Sequence, residues 1–299
     1  MSITNFRTGG AGSGVKITFQ SLQDKKQAHR PITALTAYDY ATARLVDETG
    51  VDLILVGDSL AMVVMGYETT LPVTVDEMLH HTRAVRRAVK RAIVAADMPF
   101  GSYHGSVHEA VANAVRFVKE AGAEAVKVEG GAVRCELVER LAGAEIPVIC
   151  HLGLTPQAVH RMGGYKVQGK TQAAADELAR DARMLEAAGA SAVVLEGMPR
   201  EVAARITSEL RIPTIGIGAG PDCDGQILVF HDLVNLSFSP PAKFVRQYGD
   251  AAALFRSAIE GYVRDVEERA FPTEAESYHL PSSTGPVDAS PVTAALRKA

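Results

Sequence analysis

Short apolar runs rich in β-branched residues alternate with longer segments of helical periodicity along most of the chain. Each run has the length of a buried strand and is bounded by polar residues or glycine. The sequence predicts eight strands in this way, at 32–36, 52–58, 92–100, 125–130, 147–153, 192–197, 213–220 and 226–232. Strands that alternate with helices are typical of parallel sheets with right-handed crossovers.

Two of the helical segments carry clear start and stop signals. Apolar residues of 107–121 recur at spacings of three and four, which predicts an amphipathic helix. Ser106 and Glu109 form a capping box before this helix, and Gly122 follows it at the expected C-cap. Thr74 and Glu77 repeat the capping box before a second predicted helix at 76–91.

The number of elements decides between two architectures. Eight strands within about 250 residues fit a single-domain α/β fold, the (β/α)8 barrel of the TIM type. An open doubly wound sheet is the alternative, but it more often carries a glycine-rich nucleotide turn after its first strand. Segments 121–130 and 188–197 share one pattern, as expected of repeated units. We therefore predict a barrel domain over 16–271, with flexible tails over 1–15 and 272–299.

Composition and charge exclude several functional classes for this protein. The 299 residues are 47% hydrophobic and 22% charged, as in an ordinary globular protein. A net charge of −4 argues against electrostatic binding to nucleic acid or to a membrane surface. The apolar runs are too short for a membrane span, and the N-terminus lacks an apolar signal core. Three cysteines without CxxC spacing predict a reducing, cytoplasmic compartment.

Ionisable side chains occur at or near the C-terminal ends of five different predicted strands. They are Asp58, Asp97, Glu129, His151 and Glu196. The C-terminal ends of barrel strands converge on one face, and that face holds the active site in TIM barrels. Any one of the five is also explained as a helix cap or a loop residue. All five together favour an active site.

The acidic residues of this group offer only oxygen ligands. Asp58, Asp97 and Glu129 therefore suit a hard cation such as Mg²⁺ better than zinc, which prefers histidine and cysteine. Strand alternation places Lys127 on the same face as Glu129, toward the barrel interior. A lysine in that position needs an anion, and either a bound substrate or Glu129 itself supplies one.

The remaining candidates are a base and two substrate-binding residues. Glu196 ends a strand that is apolar up to that point, an environment that suits a general base; a second metal ligand or a capping acid are the alternatives. Ser59 lacks the GxSxG context of a serine nucleophile, but its hydroxyl and N–H suit a substrate carboxylate. For His151, hydrogen bonding to substrate and simple packing of its loop are equally open.

Several motifs together give the chain a close resemblance to one known family. It resembles the ketopantoate hydroxymethyltransferases from about residue 16 to 271. The motifs are VGDSLAM (56–62), LPVTVDEM (71–78), ADMPFGSY (96–103), VKVEGG (126–131), HLGLTPQ (151–157), GGYKVQGK (163–170), LEGMP (195–199) and IGIGAGPDCDGQILVFHD (215–232). The resemblance implies a (β/α)8 barrel that transfers a hydroxymethyl group from 5,10-methylenetetrahydrofolate to 3-methyl-2-oxobutanoate. The products are 2-dehydropantoate, on the route to pantothenate and coenzyme A, and tetrahydrofolate.

The resemblance also implies roles for individual residues. Asp58, Asp97 and Glu129 match the Mg²⁺ site, where the two aspartates also border the keto acid. Ser59 and Lys127 match positions that hold the keto acid, and Glu196 matches the proton acceptor. The family is typically a large homo-oligomer, often a decamer.

Two other functions are open at this stage. A carbon–carbon lyase or mutase of the phosphoenolpyruvate/isocitrate type shares the barrel, Mg²⁺ and 2-oxo acids. Such lyases usually carry a cysteine acid in a basic loop resembling KKCGH, and nothing similar surrounds Cys135, Cys150 or Cys223. A non-catalytic metabolite-binding barrel is the other alternative, but it has no need of Asp97 and Glu196 together.

Overall fold

The computed structural model describes residues 14–280. Eight strands are present: β1 Ile32–Thr36, β2 Leu53–Val56, β3 Ile93–Asp97, β4 Ala125–Glu129, β5 Val148–Gly153, β6 Ala192–Glu196, β7 Thr214–Ile217 and β8 Gly225–Leu228. Each strand pairs in parallel with its neighbours in sequence, and β1 pairs with β8, so the sheet closes into a barrel. The predicted fold class is confirmed. Most of the two predicted tails lies outside the described residues.

Eleven α-helices lie within residues 14–280: α1 Phe19–Gln27, α2 Tyr40–Glu48, α3 Leu60–Val63, α4 Val75–Ala88, α5 Val107–Ala121, α6 Cys135–Gly143, α7 Val159–Met162, α8 Gln172–Ala187, α9 Arg200–Glu209, α10 Phe230–Leu233 and α11 Ala251–Glu267. None of these helices has the length and apolar character that crossing a membrane requires.

The predicted helix signals are confirmed, with one shift in boundary. Helix α5 begins and ends as predicted, with the capping box in place and Gly122 in the left-handed region at φ 73°. Helix α4 also starts with its capping box but ends three residues before position 91. The chain leaves the helix there because the N–H groups of residues 90–92 donate to the carboxylate of Asp47 instead of continuing the helix.

Alternating residues of the strands form two apolar layers. Inward-facing side chains such as Leu53, Ile93 and Ile149 fill the barrel, and Leu22 of α1 joins this inner cluster. Outward-facing side chains such as Ile54 and Val126 pack in a larger cluster with the surrounding helices. Because Leu22 packs with the inner residues, α1 covers the N-terminal end of the barrel.

The chain divides into two compact units, residues up to Ala251 and residues from Ala252 onward. Most of α11 belongs to the second unit. Its large apolar side chains are exposed: Leu254, Phe255, Ile259, Tyr262, Val263 and Val266. The domain limits of 16 and 271 stay a prediction.

Candidate active site

All five ionisable residues singled out by the sequence lie at the C-terminal ends of strands. Asp97, Glu129 and Glu196 are the last residues of β3, β4 and β6, His151 lies within β5, and Asp58 follows β2. Four of them are buried, whereas the side chain of Glu196 is 15% exposed. The acids therefore gather below the surface, with Glu196 nearest to solvent.

The carboxylate of Asp97 accepts hydrogen bonds from two neighbouring residues. Its Oδ1 accepts a hydrogen bond from Lys127 Nζ at 2.5 Å, and its Oδ2 accepts one from the N–H of Asp58 at 3.0 Å. Lys127 is buried as predicted, but its ion-pair partner is Asp97 rather than Glu129. Burial alone lowers the pKa of Lys127, but the surrounding carboxylates outweigh burial and raise it. Lys127 therefore stays protonated at neutral pH.

Gln157 links Asp58 to Glu129. Its side-chain Nε2 donates to Asp58 Oδ2 at 2.8 Å and to the carbonyl oxygen of Met98 at 3.0 Å. Its main-chain N–H donates to Glu129 Oε2 at 3.0 Å. The hydroxyl of Tyr103 donates to Gln157 Oε1 at 2.6 Å and accepts from the N–H of Glu129 at 3.0 Å.

Sequence reasoning missed Gln157 and Tyr103, although both lie inside quoted motifs. They are uncharged at neutral pH and do not end strands, so a search for charged side chains at strand ends passes over them. The informative signal was their presence in the motifs HLGLTPQ and ADMPFGSY beside the charged candidates.

Ser59 lies beside a tyrosine that the sequence also left unmarked. Its Oγ is 2.8 Å from the hydroxyl oxygen of Tyr38, which follows β1 and is buried. Burial raises the pKa of Tyr38 above its ordinary value, so the phenol stays neutral. Gly57 makes room for this pair, because a Cβ at that position would lie 2.8 Å from Ser59 Oγ.

His151 lies between two carboxylates. Its Nδ1 is 3.3 Å from Glu129 Oε1, and its Nε2 is 3.1 Å from Glu196 Oε2. Neither contact has hydrogen-bond geometry, and within residues 14–280 both ring nitrogens and Glu129 Oε1 lack a hydrogen-bond partner. Burial alone lowers the pKa of His151, but the two carboxylates raise it to about 9. The raised pKa favours the protonated form of the ring, which then lies as a buried cation between two acids.

Gly153 allows Glu196 to approach this histidine. Strand β5 ends at Gly153 with φ 95°, and a Cβ there would lie 2.1 Å from the carbonyl oxygen of Glu196. The next residue, Leu154, donates its N–H to the same oxygen at 2.9 Å. Only glycine permits this close approach of β5 to β6.

Negative charge at this end of the barrel is only partly compensated. Burial, and then the charges of Asp97 and Glu129, raise the pKa of Asp58 well above its ordinary range. Burial also raises the pKa of Glu129, but His151 and Lys127 outweigh burial and leave it below its ordinary value. Asp58 is thus the carboxylate most in need of a cation. Among the described residues, no three acids, histidines or cysteines are already arranged as a metal cage.

Fold and site together define a TIM barrel with a buried cluster of acids at the C-terminal end, where barrel enzymes carry their active sites. Comparison with known proteins then gives the family. The chain belongs to the ketopantoate hydroxymethyltransferase family, whose model matches residues 16–274. The resemblance predicted from the motifs is confirmed.

Curated relatives carry the corresponding name. The chain is 65% identical over 266 residues to the 3-methyl-2-oxobutanoate hydroxymethyltransferase of Koribacter versatilis (strain Ellin345), which covers 89% of this chain and 90% of that one. It is 53% identical over 263 residues to the enzyme of the same name from Geobacter metallireducens (strain ATCC 53774 / DSM 7210 / GS-15), which covers 88% and 98%.

Solved structures with the same fold are more distant. A 2,3-dimethylmalate lyase of the PEP mutase/isocitrate lyase superfamily superposes with a TM-score of 0.56 at 18% identity, covering 90% of this chain and 91% of that one. A phosphonopyruvate hydrolase in complex with oxalate and Mg²⁺ gives 0.56 at 18% identity, covering 88% and 92%. At such identities the likeness shows the fold alone.

Proposed function

We propose that this chain transfers a hydroxymethyl group from 5,10-methylenetetrahydrofolate to 3-methyl-2-oxobutanoate, giving 2-dehydropantoate and tetrahydrofolate on the route to pantothenate. One observation carries the proposal. An unbroken series of short contacts runs from Lys127 through Asp97, Asp58, Gln157 and Glu129 to His151 and Glu196. Together with Ser59, which follows Asp58 in the chain, this series contains every residue that the family resemblance marks, in a chain of that family.

The acids of this series fit Mg²⁺. Among residues 14–280, the four carboxyl groups of Asp58, Asp97, Glu129 and Glu196 face two cations, Lys127 and His151. A fully ionised cluster therefore carries two uncompensated negative charges, the charge that a divalent ion balances. The buried Glu129 Oε1 also lacks a hydrogen-bond partner. Mg²⁺ typically takes one or two carboxylates together with water and substrate oxygens, so it does not require a preformed cage.

We assign the metal to Asp58 and Asp97, with Glu129 as the third carboxylate of its site. When bound there, Mg²⁺ supplies Lewis acidity that makes the C3 proton of the keto acid more acidic. Lys127 and Ser59 hold the substrate carboxylate. The lysine has three N–H donors and Asp97 occupies one of them, so others are free for the substrate.

Glu196 accepts the C3 proton. It is the most exposed of the four acids, which suits a group that meets substrate, and its carboxylate lies 3.1 Å from His151 Nε2. The electron pair of the broken C–H bond then forms the new C–C bond to the methylene carbon carried by the folate. The two C–N bonds of that carbon break, water supplies the oxygen of the hydroxymethyl group, and tetrahydrofolate leaves with one proton from C3 and one from water on its two nitrogens. His151 lies beside Glu196 and is placed to border the keto acid.

The proposal also covers the assembly state of the protein and its location in the cell. We infer a homo-oligomer, a decamer by family resemblance, and the exposed apolar side chains of α11 are suited to contact another copy. We also infer a reducing cytoplasmic location, which the three free cysteines support. Light scattering on the purified full-length chain measures its assembly state directly.

The activity is tested by incubating the chain with both substrates and Mg²⁺ and detecting 2-dehydropantoate by mass spectrometry. We expect product that disappears when EDTA is added and returns when Mg²⁺ is restored. Full activity in metal-free buffer would refute the metal assignment.

The same assay separates the two alternatives. Cleavage of a 2-hydroxy diacid or rearrangement of a phosphonate, with no 2-dehydropantoate formed, would favour a lyase or mutase. Tight binding of the keto acid with no turnover of any of these substrates would favour a metabolite-binding barrel.

A further inference from the structure

Gln157 donates hydrogen bonds to two members of the acid cluster, Asp58 and Glu129, yet it neither carries charge nor ends a strand. It is buried, and its side chain and main chain together donate to Asp58, Met98 and Glu129. A residue with these contacts is suited to fix the orientation of the carboxylate groups that it binds.

The orientation of the Gln157 amide is determined by its neighbours. Tyr103 accepts from the N–H of Glu129, so its single hydroxyl proton is available for Gln157 Oε1. The carbonyl of Met98 only accepts, so Nε2 must lie on that side and donate. The remaining N–H of Nε2 then donates to Asp58 Oδ2. A flipped amide would place Oε1 against two acceptors and Nε2 against a donor.

These donors cover one oxygen of each of two carboxylates. Gln157 Nε2 donates to Oδ2 of Asp58, and the main-chain N–H of Gln157 donates to Oε2 of Glu129. The second oxygens, Oδ1 and Oε1, are left for a ligand, and Oε1 of Glu129 is the buried atom without a hydrogen-bond partner.

We propose that Gln157 is a positioning residue that turns Asp58 and Glu129 so that one oxygen of each is available to a divalent cation. The proposal rests on the metal site assigned under the proposed function. Polar groups that orient metal ligands typically change affinity by about 10- to 100-fold when removed. The main-chain bond to Glu129 is available to every residue except proline, so other side-chain variants test the bond to Asp58.

The test compares the wild-type chain with Gln157→Met. This substitution keeps the length of the side chain and removes the amide oxygen and the amide nitrogen. We expect the Kd for Mn²⁺, measured by calorimetry without substrate, to rise by about 10-fold or more. Leu22→Ala, in the apolar cluster at the opposite end of the barrel, is the control for lost stability. It should lower the melting temperature and leave the Mn²⁺ Kd within twofold of wild type. An unchanged Kd in Gln157→Met would overturn the proposal.

Tyr103→Phe provides a second variant in case Gln157→Met does not fold. It deletes one oxygen and frees the amide to rotate, so the Mn²⁺ Kd should rise, though less than in Gln157→Met. A Kd equal to that of the wild type would contradict the proposed link.

Crystal structures without metal separate this inference from the proposed function. In the wild type, Asp58 Oδ2 should stay within hydrogen-bond distance of Gln157, and in Gln157→Met the Asp58 carboxylate should turn away from that orientation. An unchanged Asp58 would overturn the positioning role even if Mn²⁺ binds. If the wild type binds no Mn²⁺ but Asp58 turns in the variant, positioning is supported and the metal assignment fails.

Discussion

Both ends of the barrel hold buried charges, but the balance of charge differs between them. At the N-terminal end, Asp52 meets Lys25 at 2.6 Å and Arg91 at 3.5 Å, and Asp224 meets Lys26 at 2.7 Å. Asp52 and Asp224 thus face three cations. At the C-terminal end, the four acids of the cluster face two cations within residues 14–280, Lys127 and His151.

The two arrangements have different consequences for stability. Asp52 and Asp224 also accept hydrogen bonds from the main-chain N–H groups of Thr33 and Thr214, so the pairs tie α1 to the strands it covers. Burial raises the pKa of Asp52, but Lys25 and Thr33 outweigh it and lower the pKa below its ordinary value, whereas the pKa of Asp58 is raised. The ionised form therefore stabilises the fold at one end and destabilises it at the other. Charge left over at the C-terminal end is available to a ligand.

The largest expected effect concerns Glu196, the most exposed acid of the C-terminal end. Glu196→Gln keeps the shape of the side chain but cannot accept a proton. Removal of a general base typically costs about 10²–10⁴ in rate. We expect the exchange of the C3 proton of 3-methyl-2-oxobutanoate with deuterated water, followed by NMR, to fall by that factor while keto-acid binding persists. Exchange at the wild-type rate would remove Glu196 from the mechanism.

A smaller effect is expected from matched lysines at the two ends. Lys127→Met should raise the apparent KM for the keto acid by about 10- to 100-fold, because a charge-assisted hydrogen bond contributes about 1.5–3 kcal/mol. The KM for the folate should change much less. Lys25→Met removes a cation from Asp52 and should lower the melting temperature while leaving both KM values unchanged.

One result of the lysine comparison would contradict the substrate-binding role of Lys127. If Lys127→Met lowers the melting temperature as Lys25→Met does and leaves the keto-acid KM alone, Lys127 is only the structural partner of Asp97. The two ends would then not differ in the way proposed.

The smallest expected effect is a change in the free energy of unfolding, and its sign is opposite at the two ends of the barrel. In metal-free buffer near pH 8, Asp52→Asn should lower the free energy of unfolding by about 1–3 kcal/mol, because Lys25 loses its ionised partner. Asp58→Asn should instead raise it by about 1 kcal/mol or more, because the substitution removes a carboxylate whose ionised form is disfavoured. Urea unfolding measures both differences.

The pH dependence of these two differences follows from the directions of the pKa shifts. A carboxyl with a raised pKa in the folded state contributes stability below its unfolded pKa, and this contribution is lost as pH rises, so the advantage of Asp58→Asn should vanish near pH 4. Asp52 has a lowered pKa, so its contribution is present above about pH 4 and is lost only as pH falls through that lowered value. An advantage of Asp58→Asn that is constant between pH 4 and 8 would contradict the charge imbalance.

The fold and the charged part of the site were predictable from the sequence because both follow from local patterns. Apolar runs that end in an acid mark a strand and its functional end together, as at Asp97, Glu129 and Glu196. Alternation also placed Lys127 inside the barrel. Its partner was not predictable, because the pairing of Asp97 opposite Lys127 depends on the register between β3 and β4.

The uncharged part of the site could not be predicted in this way. Gln157 lies 99 residues from Asp58 in the chain, and nothing in the composition of either segment shows that they meet. The bridging position of His151 likewise depends on register, since β5 places it opposite Glu129 on β4. Hydrogen-bond partners of this kind are set by tertiary structure.

Helix α1 is close to the start of the chain, but two of the residues it contacts lie near the other end of the barrel sequence. Lys26 pairs with Asp224, 198 positions further along, and Gln23 donates to the carbonyl of Arg211, 188 positions away. These two contacts require the segments next to the last two strands to be in place, so we expect them to form late in folding. Interactions absent from the folding transition state slow unfolding without speeding folding. We therefore expect the loss of these contacts to speed unfolding of the closed barrel more than it slows folding.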